Sequence, residues 1–292
     1  MIESEPQGRG SAQHLKDVAL GVRGSVARQS LLVFLALLVI VPAYFLLITS
    51  FKTTADYGNN KIGLPVEVFF GNFVTAMRGG RFFLWFLNSV ILVVGAVALS
   101  TLVAALAAFA FARMTFRGRN PLLAVITSLM VIPPVVMIIP LFLFFSKLKL
   151  TSTYPAAILV YAGMVVPFSV FLLTNFFKTI PHEIIESALI DGASVTGILT
   201  RIMMPLSAPA IVTLIVVNAL WVWNDLLIAL VLLPNDHMRS LMVGITVFGS
   251  RYSADVPVAL AGMLLASIPM LLLFVFGQRY FMHGMVSGAL KG

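Results

Sequence analysis

Residues 84–112 read LWFLNSVILVVGAVALSTLVAALAAFAFA, a stretch that contains no Asp, Glu, Lys or Arg. A helix needs only ~20 apolar residues to cross the hydrocarbon core of a bilayer. Inside that core no water is available to the backbone N–H and C=O groups. An uncharged segment of this length is stable there as a helix, because a helix satisfies these groups with its own hydrogen bonds. The stretch therefore predicts a membrane-spanning helix.

Five further stretches of similar character lie on either side of this one. The six predicted spans are residues 31–50, 84–112, 121–145, 155–177, 206–233 and 256–277. The apolar residues show no period-2 alternation, which argues against a transmembrane barrel. The predicted fold class is an all-α, polytopic membrane protein with six transmembrane helices.

The composition excludes several other classes of protein. Of 292 residues, 60% are hydrophobic and 10% are charged, whereas ordinary soluble domains are roughly half apolar and about a quarter charged. Cysteine is absent and the four histidines are scattered, so we expect no disulfide, no thiol nucleophile and no metal site. The net charge of +8 comes from basic residues in short loops, which favours a role in membrane topology over nucleic-acid binding.

The chain divides into three predicted regions. Residues 1–30 form a polar, irregular tail, residues 31–283 the transmembrane domain, and residues 284–292 a second tail. The first apolar stretch lacks a cleavage site, so we interpret it as a retained anchor. With the amino terminus inside, eleven of the 19 Lys and Arg residues lie on the inner side and eight on the outer side. This bias favours a multi-pass protein with both termini on the inner, cytoplasmic side of the membrane.

Two predicted spans carry additional signals. In the second, a small residue recurs at every fourth position, at Ala96, Ser100, Ala104, Ala108 and Ala112. Such a stripe allows close approach of another backbone, either within the chain or from another subunit. In the third span, Pro133, Pro134 and Pro140 remove amide donors and predict a kink, a feature of helices that line transport paths.

Residues 178–205, between the fourth and fifth spans, read KTIPHEIIESALIDGASVTGILTRIMMP. The sequence predicts a short amphipathic helix that begins near Pro181 and ends at Gly192, which suits a left-handed residue. Ser194 is the predicted cap of a second short helix that stops near Pro205. The apolar stripe of the first helix is predicted from Ile184, Ile185, Ala188 and Leu189. Acidic residues on its other side disfavour anionic lipid and favour a protein partner.

This segment resembles the E-A-A, G, I-x-L-P loop of bacterial ATP-binding-cassette importer permeases. The match runs from Glu186-Ser187-Ala188 through Gly192 to Ile202-Met203-Met204-Pro205. Ser187 stands where the family has its middle alanine, and Met204 where it has leucine. The resemblance extends along the chain, and the residues 284–292 look like the tail of MalG-type carbohydrate permeases. Further matching motifs are Ser50-Phe51-Lys52, Asn88-Ser89, Phe116-Arg117-Gly118-Arg119, Ser146-Lys147-Leu148 and Trp223-Asn224-Asp225.

The resemblance implies a type I importer transmembrane domain that lies in the bacterial plasma (inner) membrane. It implies a heterodimer with a second homologous permease, two ATPase subunits that bind ATP and Mg²⁺, and an extracytoplasmic solute-binding protein; this chain would hold no cofactor and would not be an enzyme. The 178–205 segment would dock on the ATPase, with Glu186 as polar anchor, Gly192 as the turn, and Ala188 and Leu189 as docking surface. The full predicted contact set is Glu186, Ser187, Ala188, Leu189, Asp191, Gly192, Ile202 and Pro205, with Gly288, Lys291 and Gly292 at the C-terminus.

The fifth span contains the polar and aromatic residues Asn218, Trp221, Trp223, Asn224 and Asp225. A carboxylate in a spanning helix is costly and marks a pathway or functional residue by default. Trp rings beside amide and carboxylate groups suit a sugar-binding site, because the rings stack on the apolar faces of a sugar and the polar groups bond to its hydroxyls. The alternative is a structural role, in which Asp225 caps backbone amides at a helix break or pairs with another helix. Both interpretations follow from the sequence.

Other functions are less well supported. A proton- or sodium-driven transporter predicts several intramembrane acids or histidines, and within the six predicted spans only Asp225 qualifies. A membrane-embedded enzyme would need a catalytic pair, and a chain that binds ATP would need a G-x-x-x-x-G-K-[ST] motif; the sequence contains neither. Within ATP-driven import, the alternative solutes are a polyol, glycerol phosphate or an oligosaccharide acid.

Overall fold

The computed structural model describes residues 9–78, 81–251 and 255–289, with side chains described for residues 28–78, 81–246 and 255–278. All regular secondary structure in these ranges is helical. The long elements are α1 (Arg9–Ser50), α4 (Phe82–Arg113), α7 (Tyr154–Thr179) and α13 (Val256–Ala289). The shorter ones are α2 (Thr54–Asn59), α3 (Gly71–Arg78), α5 (Arg119–Ser128), α6 (Pro134–Lys147), α8 (His182–Ile190), α9 (Val195–Leu206), α10 (Ala208–Asn224), α11 (Leu227–Leu232) and α12 (Leu241–Arg251).

Four helical segments among the described residues are long and apolar enough to cross a membrane: Arg28–Ser50, Phe82–Arg113, Tyr154–Thr179 and Val256–Gln278. Two bent pairs, α5 with α6 and α9 with α10, raise the number to six if each pair is one span. These segments overlap the six apolar stretches of the sequence, although the α9–α10 pair begins at Val195, within the residues predicted as a loop. The all-helical membrane fold predicted from composition is therefore confirmed.

The core of the bundle forms where α4 packs on α7. The small residues predicted as a stripe on α4 are all buried, at no more than 9% exposure. Ala104, Ala108 and Ala112 share one buried cluster with Leu173 and Phe177 of α7. Small side chains allow the two helix backbones to approach closely in a membrane. Of the two uses that the stripe allowed, packing within the chain is the one observed.

The third span is broken where the prolines predicted a kink. Helix α5 and a 3₁₀ turn (Leu129–Val131) end before Pro133, and α6 begins at Pro134 with its axis bent by 98°. Two consecutive prolines supply no amide hydrogens, so the helical ladder cannot continue through them. Pro140 lies inside α6, which continues past it.

Two expectations about where the chain is helical differ from the structure. Residues 9–30, expected as an irregular tail, belong to α1, whose helix begins at Arg9 and runs for 42 residues. The fifth span, expected as one stretch over residues 206–233, is interrupted at Asp225 between α10 and α11. Hydropathy reports polarity and not helicity, so it does not reveal that the polar residues 9–30 are helical, and a break of two residues hardly changes the mean of a long window.

The bundle has two distinct ends. At one, called the cap end, Asn88 Nδ2 donates to the carbonyls of His237 and Arg239 at 2.9 Å each, and Tyr154 Oη donates to Asn88 Oδ1 at 2.7 Å. Ser89 Oγ accepts a hydrogen bond from the Leu241 amide there. The opposite end, called the loop end, carries residues 179–206. Helices α8 and α9 of this segment pack beneath α4 and α7.

Candidate functional site

Helix α8 and the turn after it form as the sequence predicted. The helix ends at Ile190, and Gly192 follows with a φ of +79°. The Gly192 amide donates to Leu189 O at 3.0 Å, and the Ala193 amide donates to Ala188 O at 2.9 Å. These two bonds form a Schellman motif, in which the left-handed residue is usually glycine. Gly192 therefore fixes the angle between α8 and the next helix.

Helix α9 begins with the predicted cap and contains a turn that was not predicted. Ser194 Oγ accepts a hydrogen bond from the Gly197 amide at 3.1 Å. The helix then widens into a π-helical stretch, Ile198–Met203, before Pro205. Pro205 has no amide hydrogen to donate to the preceding turn, and π-helical turns are frequent at functional sites. Pro205 is exposed and Ile202 is half-buried.

The apolar stripe predicted on α8 is divided between two faces. Ile185 and Ala188 are buried against the bundle, at 6% and 8% exposure. Leu189 and Ile184, predicted on the same face, are exposed at 52% and 37%. Ile190 is also exposed, at 86%. Ala188 thus contacts the chain itself, and the exposed apolar surface of α8 comes from Ile184, Leu189 and Ile190.

The acidic residues of α8 face outward from the bundle. Glu186 is exposed, and its Oε1 lies 4.0 Å from His182 Nδ1 one turn earlier. Asp191 is exposed as well, and the Ser187 hydroxyl donates to Ile184 O at 3.1 Å. A long, solvent-screened pair such as Glu186–His182 contributes little to stability. The Glu186 carboxylate is therefore free to bind a group from outside the chain.

Arg113, at the end of α4, is hydrogen-bonded to the start of the 178–206 segment. The sequence did not predict this role for Arg113. Its Nη2 donates to the carbonyls of Phe177 and Ile180, at the end of α7 and the start of the segment. The last carbonyls of a helix lack intrahelical partners, so a guanidinium there both satisfies them and interacts favourably with the helix dipole. The only sequence signal was a basic residue directly after an apolar stretch.

The polar residues predicted as a possible solute path are bonded mainly within the chain. Asp225 Oδ2 accepts hydrogen bonds from the amides of Ile228 and Ala229, at 3.0 and 3.1 Å, and from Tyr161 Oη at 2.8 Å. This carboxylate caps α11 and ties it to α7, as the structural interpretation predicted. Such capping satisfies amides that have no intrahelical partner.

Of the other four predicted path residues, two are buried and hydrogen-bonded to neighbouring helices, and two are exposed. Asn218 is buried and its Nδ2 donates to Ser169 Oγ at 2.9 Å, while Trp223 Nε1 donates to Ala266 O at 3.1 Å. Asn224 is exposed and Nδ2 donates to Leu220 O of its own helix. Trp221 is 36% exposed and packs edge to face on Tyr161.

Asn218 and Trp221 line a cavity of about 580 Å³ between the broken third span, α7 and α10. Its walls are otherwise largely apolar and include Met130 and Ile132 at the break, with Phe144 and Phe168. Trp223 lines a separate apolar groove of about 600 Å³ between α4, α10 and α13. Of the five predicted path residues, the structure thus brings only Asn218 and Trp221 together at this cavity.

Two further predictions concern the C-terminus and metal binding. Gly288 lies near the end of α13, whereas Lys291 and Gly292 lie outside the described residues. Within the part of the chain that the structure describes, no three His, Asp or Glu side chains are grouped as metal ligands.

Broken membrane helices beside a cavity are a recurring feature of membrane transport proteins. The family model for the binding-protein-dependent transport system inner membrane component matches residues 96–285. The chain belongs to this family. The match begins inside α4 and includes the whole 178–206 segment.

Several named proteins are similar to this one over most of the chain. A putative ABC transporter permease protein, ORF2, from Caldicellulosiruptor sp. (strain Rt8B.4) is 40% identical over 86% of this chain and 92% of its own length. The arabinooligosaccharides transport system permease protein AraQ of Halalkalibacterium halodurans is 32% identical, covering 89% of this chain and 94% of AraQ. The melibiose/raffinose/stachyose import permease protein MelC of Bacillus subtilis is 32% identical, covering 86% and 91%.

A solved structure shares the fold. A chain in the crystal structure of a bacterial ABC transporter involved in import of the acidic polysaccharide alginate superposes with a TM-score of 0.78. The sequence identity is 23%, and the match covers 95% of this chain and all of the other. The type I importer fold implied by the sequence resemblance is thereby confirmed.

Proposed function

We propose that this chain is the permease subunit of an ATP-driven importer and forms half of a membrane path for a sugar or sugar-like solute. Family membership supports import that depends on a solute-binding protein. The relatives AraQ and MelC are named for oligosaccharide uptake, which supports a carbohydrate solute. The partners in this proposal are a second homologous permease, two ATPase subunits and an extracytoplasmic binding protein.

The observation that carries the proposal is the two-sided segment of residues 178–206. One face, with Ile185, Ala188 and Met203, is packed into the bundle. The other exposes Glu186, Leu189 and Ile190. A surface that is held rigidly on one side and presents apolar and acidic groups on the other can bind a partner and transmit its movement. Such a partner drives a change of state only if it contacts the two states differently.

The ATPase is the partner that this segment fits best within the proposed importer. Glu186 provides the charged contact, and Ile184, Leu189 and Ile190 fill an apolar cleft. In this arrangement the loop end faces the cytoplasm, together with both termini. The cap end then faces the solute-binding protein.

Charge reversal of Glu186 tests the proposal directly. The importer is reconstituted in proteoliposomes, and ATP-dependent uptake of labelled oligosaccharide is measured for Glu186→Lys. We expect uptake to be abolished while membrane insertion is unchanged, because the side chain makes only a 4.0 Å contact within the chain. Arg117→Glu, an exposed charge reversal at the loop end but outside the 178–206 segment, is the control and should transport normally.

The same uptake assay identifies the class of solute and can contradict the proposal. Uptake of a polyol, glycerol phosphate or an oligosaccharide acid in place of neutral oligosaccharide would select the alternative substrate. Normal uptake by Glu186→Lys would show that the carboxylate has no part in coupling. Uptake by the wild-type chain without any ATPase subunit would contradict the proposal as a whole.

A further inference from the structure

Ser207 lies at the sharp bend between α9 and α10, whose axes differ by 78°. Helix α9 belongs to the 178–206 segment, which also carries the exposed Glu186. Helix α10 carries Asn218 and Trp221, which line the cavity beside the broken third span. Ser207 therefore joins the proposed docking surface to a wall of the cavity. A change in the angle between α9 and α10 takes place at this residue or next to it.

The backbone around Ser207 lacks part of the helical hydrogen-bond ladder. Pro205 and Pro209 have no amide hydrogen, so the ladder has a missing donor on each side of the bend. The Ser207 amide is shared between two carbonyls, Met203 O at 3.0 Å and Met204 O at 3.2 Å. Such a three-centre bond is common where a helix ends, and it survives if one of the two acceptors moves away. The bend can therefore change without the loss of a complete backbone hydrogen bond.

The turn that precedes the bend is irregular as well. Residues Ile198–Met203 are π-helical, and the Met204 amide donates to Leu199 O, five residues earlier. Turns of this kind are rare and occur mostly as single turns within α-helices, frequently at functional sites. The α-helical ladder is thus interrupted on the α9 side of Ser207 in addition to the bend itself.

The hydroxyl of Ser207 is buried without a hydrogen-bond partner. The residue has no exposed surface, and within the part of the chain that the structure describes nothing bonds to its Oγ. Ser100 and Ser169 are equally buried, but their hydroxyls donate to Val97 O at 3.1 Å and Val165 O at 2.7 Å. A buried hydroxyl without a partner destabilises the conformation in which it occurs. A conformation in which this hydroxyl is bonded is favoured by that difference.

The helices on both sides of the bend pack into the same buried cluster. Met203 of α9 and Leu214 of α10 are fully buried there, together with Leu173 and Phe177 of α7. Close-packed side chains do not deform continuously, and a packed group that moves does so between discrete arrangements. We therefore expect α9 and α10 to adopt a small number of distinct angles and not a continuous range.

We propose that Ser207 is a hinge with two bend angles, and that its hydroxyl gains a hydrogen bond only in a second conformation, whose bend differs from 78°. The hydroxyl favours the second bend, and the packing around Met203 favours the observed one. The two conformations differ in the angle between the 178–206 segment and the cavity wall. Control of this hinge by ATP rests on the proposed function, since the ATPase would select one bend by contacting the segment differently in the two conformations. The hinge itself does not depend on it.

Distances between pairs of nitroxide labels test the hinge, and the chain contains no cysteine that would have to be removed first. The hinge-spanning pair is Arg201→Cys with Asn224→Cys, at exposed positions on α9 and at the far end of α10. The control pair is Ala208→Cys with Asn224→Cys, both exposed and both on α10. Double electron–electron resonance is recorded on the assembled importer in lipid nanodiscs, with and without a non-hydrolysable ATP analogue. Each pair is measured with Ser207 and with Ser207→Ala.

We expect two distances from the hinge-spanning pair and one from the control pair. Ser207→Ala removes the unsatisfied hydroxyl, so it should shift the ratio of the two distances about tenfold toward the one that corresponds to the 78° bend. Ser100→Ala removes a bonded hydroxyl from α4 and is the control variant. It should leave the ratio unchanged and lower the melting temperature, whereas Ser207→Ala should not lower the melting temperature.

A single distance from the hinge-spanning pair in all samples would show a fixed bend and overturn the proposal. An equal ratio with Ser207 and with Ser207→Ala would show that the hydroxyl has no part in it, which also overturns the proposal. Two distances from the control pair would place the change within α10 and do the same. A ratio that responds to Ser207→Ala but not to the ATP analogue would support the hinge and contradict the proposed function, so the two failures are distinguishable.

Discussion

Gly192 sets the geometry of the loop end through its backbone conformation and not through lack of space. A Cβ atom built on it would have no neighbour within 4 Å, yet its φ is +79°. For Gly192→Ala we expect a local cost of about 1–2 kcal/mol, the penalty of an L residue in the left-handed region. Hydrogen exchange of the amides around residues 188–197 should become about tenfold faster, since 1.4 kcal/mol is a factor of ten.

Gly58→Ala provides the matched control for this prediction. Gly58 lies in α2, has no positive φ and also has no neighbour within 4 Å of a Cβ. Alanine is favoured over glycine in a helix, so exchange in α2 should stay the same or slow down. Unchanged exchange in the Gly192→Ala variant would mean that the turn tolerates another conformation.

Two substitutions of Asp225 test whether its carboxylate caps backbone amides. Asn retains a carbonyl oxygen that can accept from the Ile228 and Ala229 amides, whereas Leu leaves both amides and the Tyr161 hydroxyl without this partner. We expect Asp225→Leu to destabilise the protein by at least about 1–3 kcal/mol, the cost of an unsatisfied buried group. Asp225→Asn should lose clearly less, as measured by thermal unfolding in detergent. Equal losses for the two variants would argue against the capping role.

At the scale of elements, Arg113 connects α4, the end of α7 and the 178–206 segment. Through its bonds to the carbonyls of Phe177 and Ile180, movement of the segment reaches α4 as well as α7. We predict that Arg113→Met lowers the amount of solute moved per ATP hydrolysed, because the segment can then move without α4. Arg113→Lys keeps a cationic donor and should restore part of the coupling.

The readout for this prediction is the ratio of transport to hydrolysis, measured in the same proteoliposomes. A loss of folded protein would lower both rates together and leave the ratio unchanged, so the ratio distinguishes positioning from stability. Arg117→Met, an exposed arginine at the same end, is the control. If the ratio for Arg113→Met equals that of the control, the arginine is only a helix cap.

At the scale of the whole molecule, the predictable features are those that depend on residues close together in the sequence. The spans follow from uninterrupted apolar stretches, the break near Pro133 from missing amides, and the turn at Gly192 from its neighbours in sequence. The pairs Arg113–Phe177 and Tyr161–Asp225 join residues that are 64 positions apart. Nothing in a periodic pattern specifies such contacts, because they depend on how spans pack.

The packing of the spans also determines which end of the bundle faces which side of the membrane. Asp191 is exposed at the loop end and Asn59 is exposed at the cap end, with the membrane spans between them. We predict that the loop end is cytoplasmic, because the proposed ATPase must reach it there. In right-side-out vesicles, a membrane-impermeant maleimide should label Asn59→Cys and should label Asp191→Cys only after permeabilisation.

Inverted vesicles from the same cells give the reciprocal test, and the cysteine-free wild-type chain gives the background. Labelling of Asp191→Cys from the outside in intact vesicles would place the 178–206 segment beyond the reach of any ATP-hydrolysing partner. The family fold would then remain, but the coupling role of Glu186 and Arg113 would be wrong. Labelling of both positions from the same side would contradict the arrangement of the spans themselves, since an odd number of crossings separates Asn59 from Asp191 when each bent pair is one span.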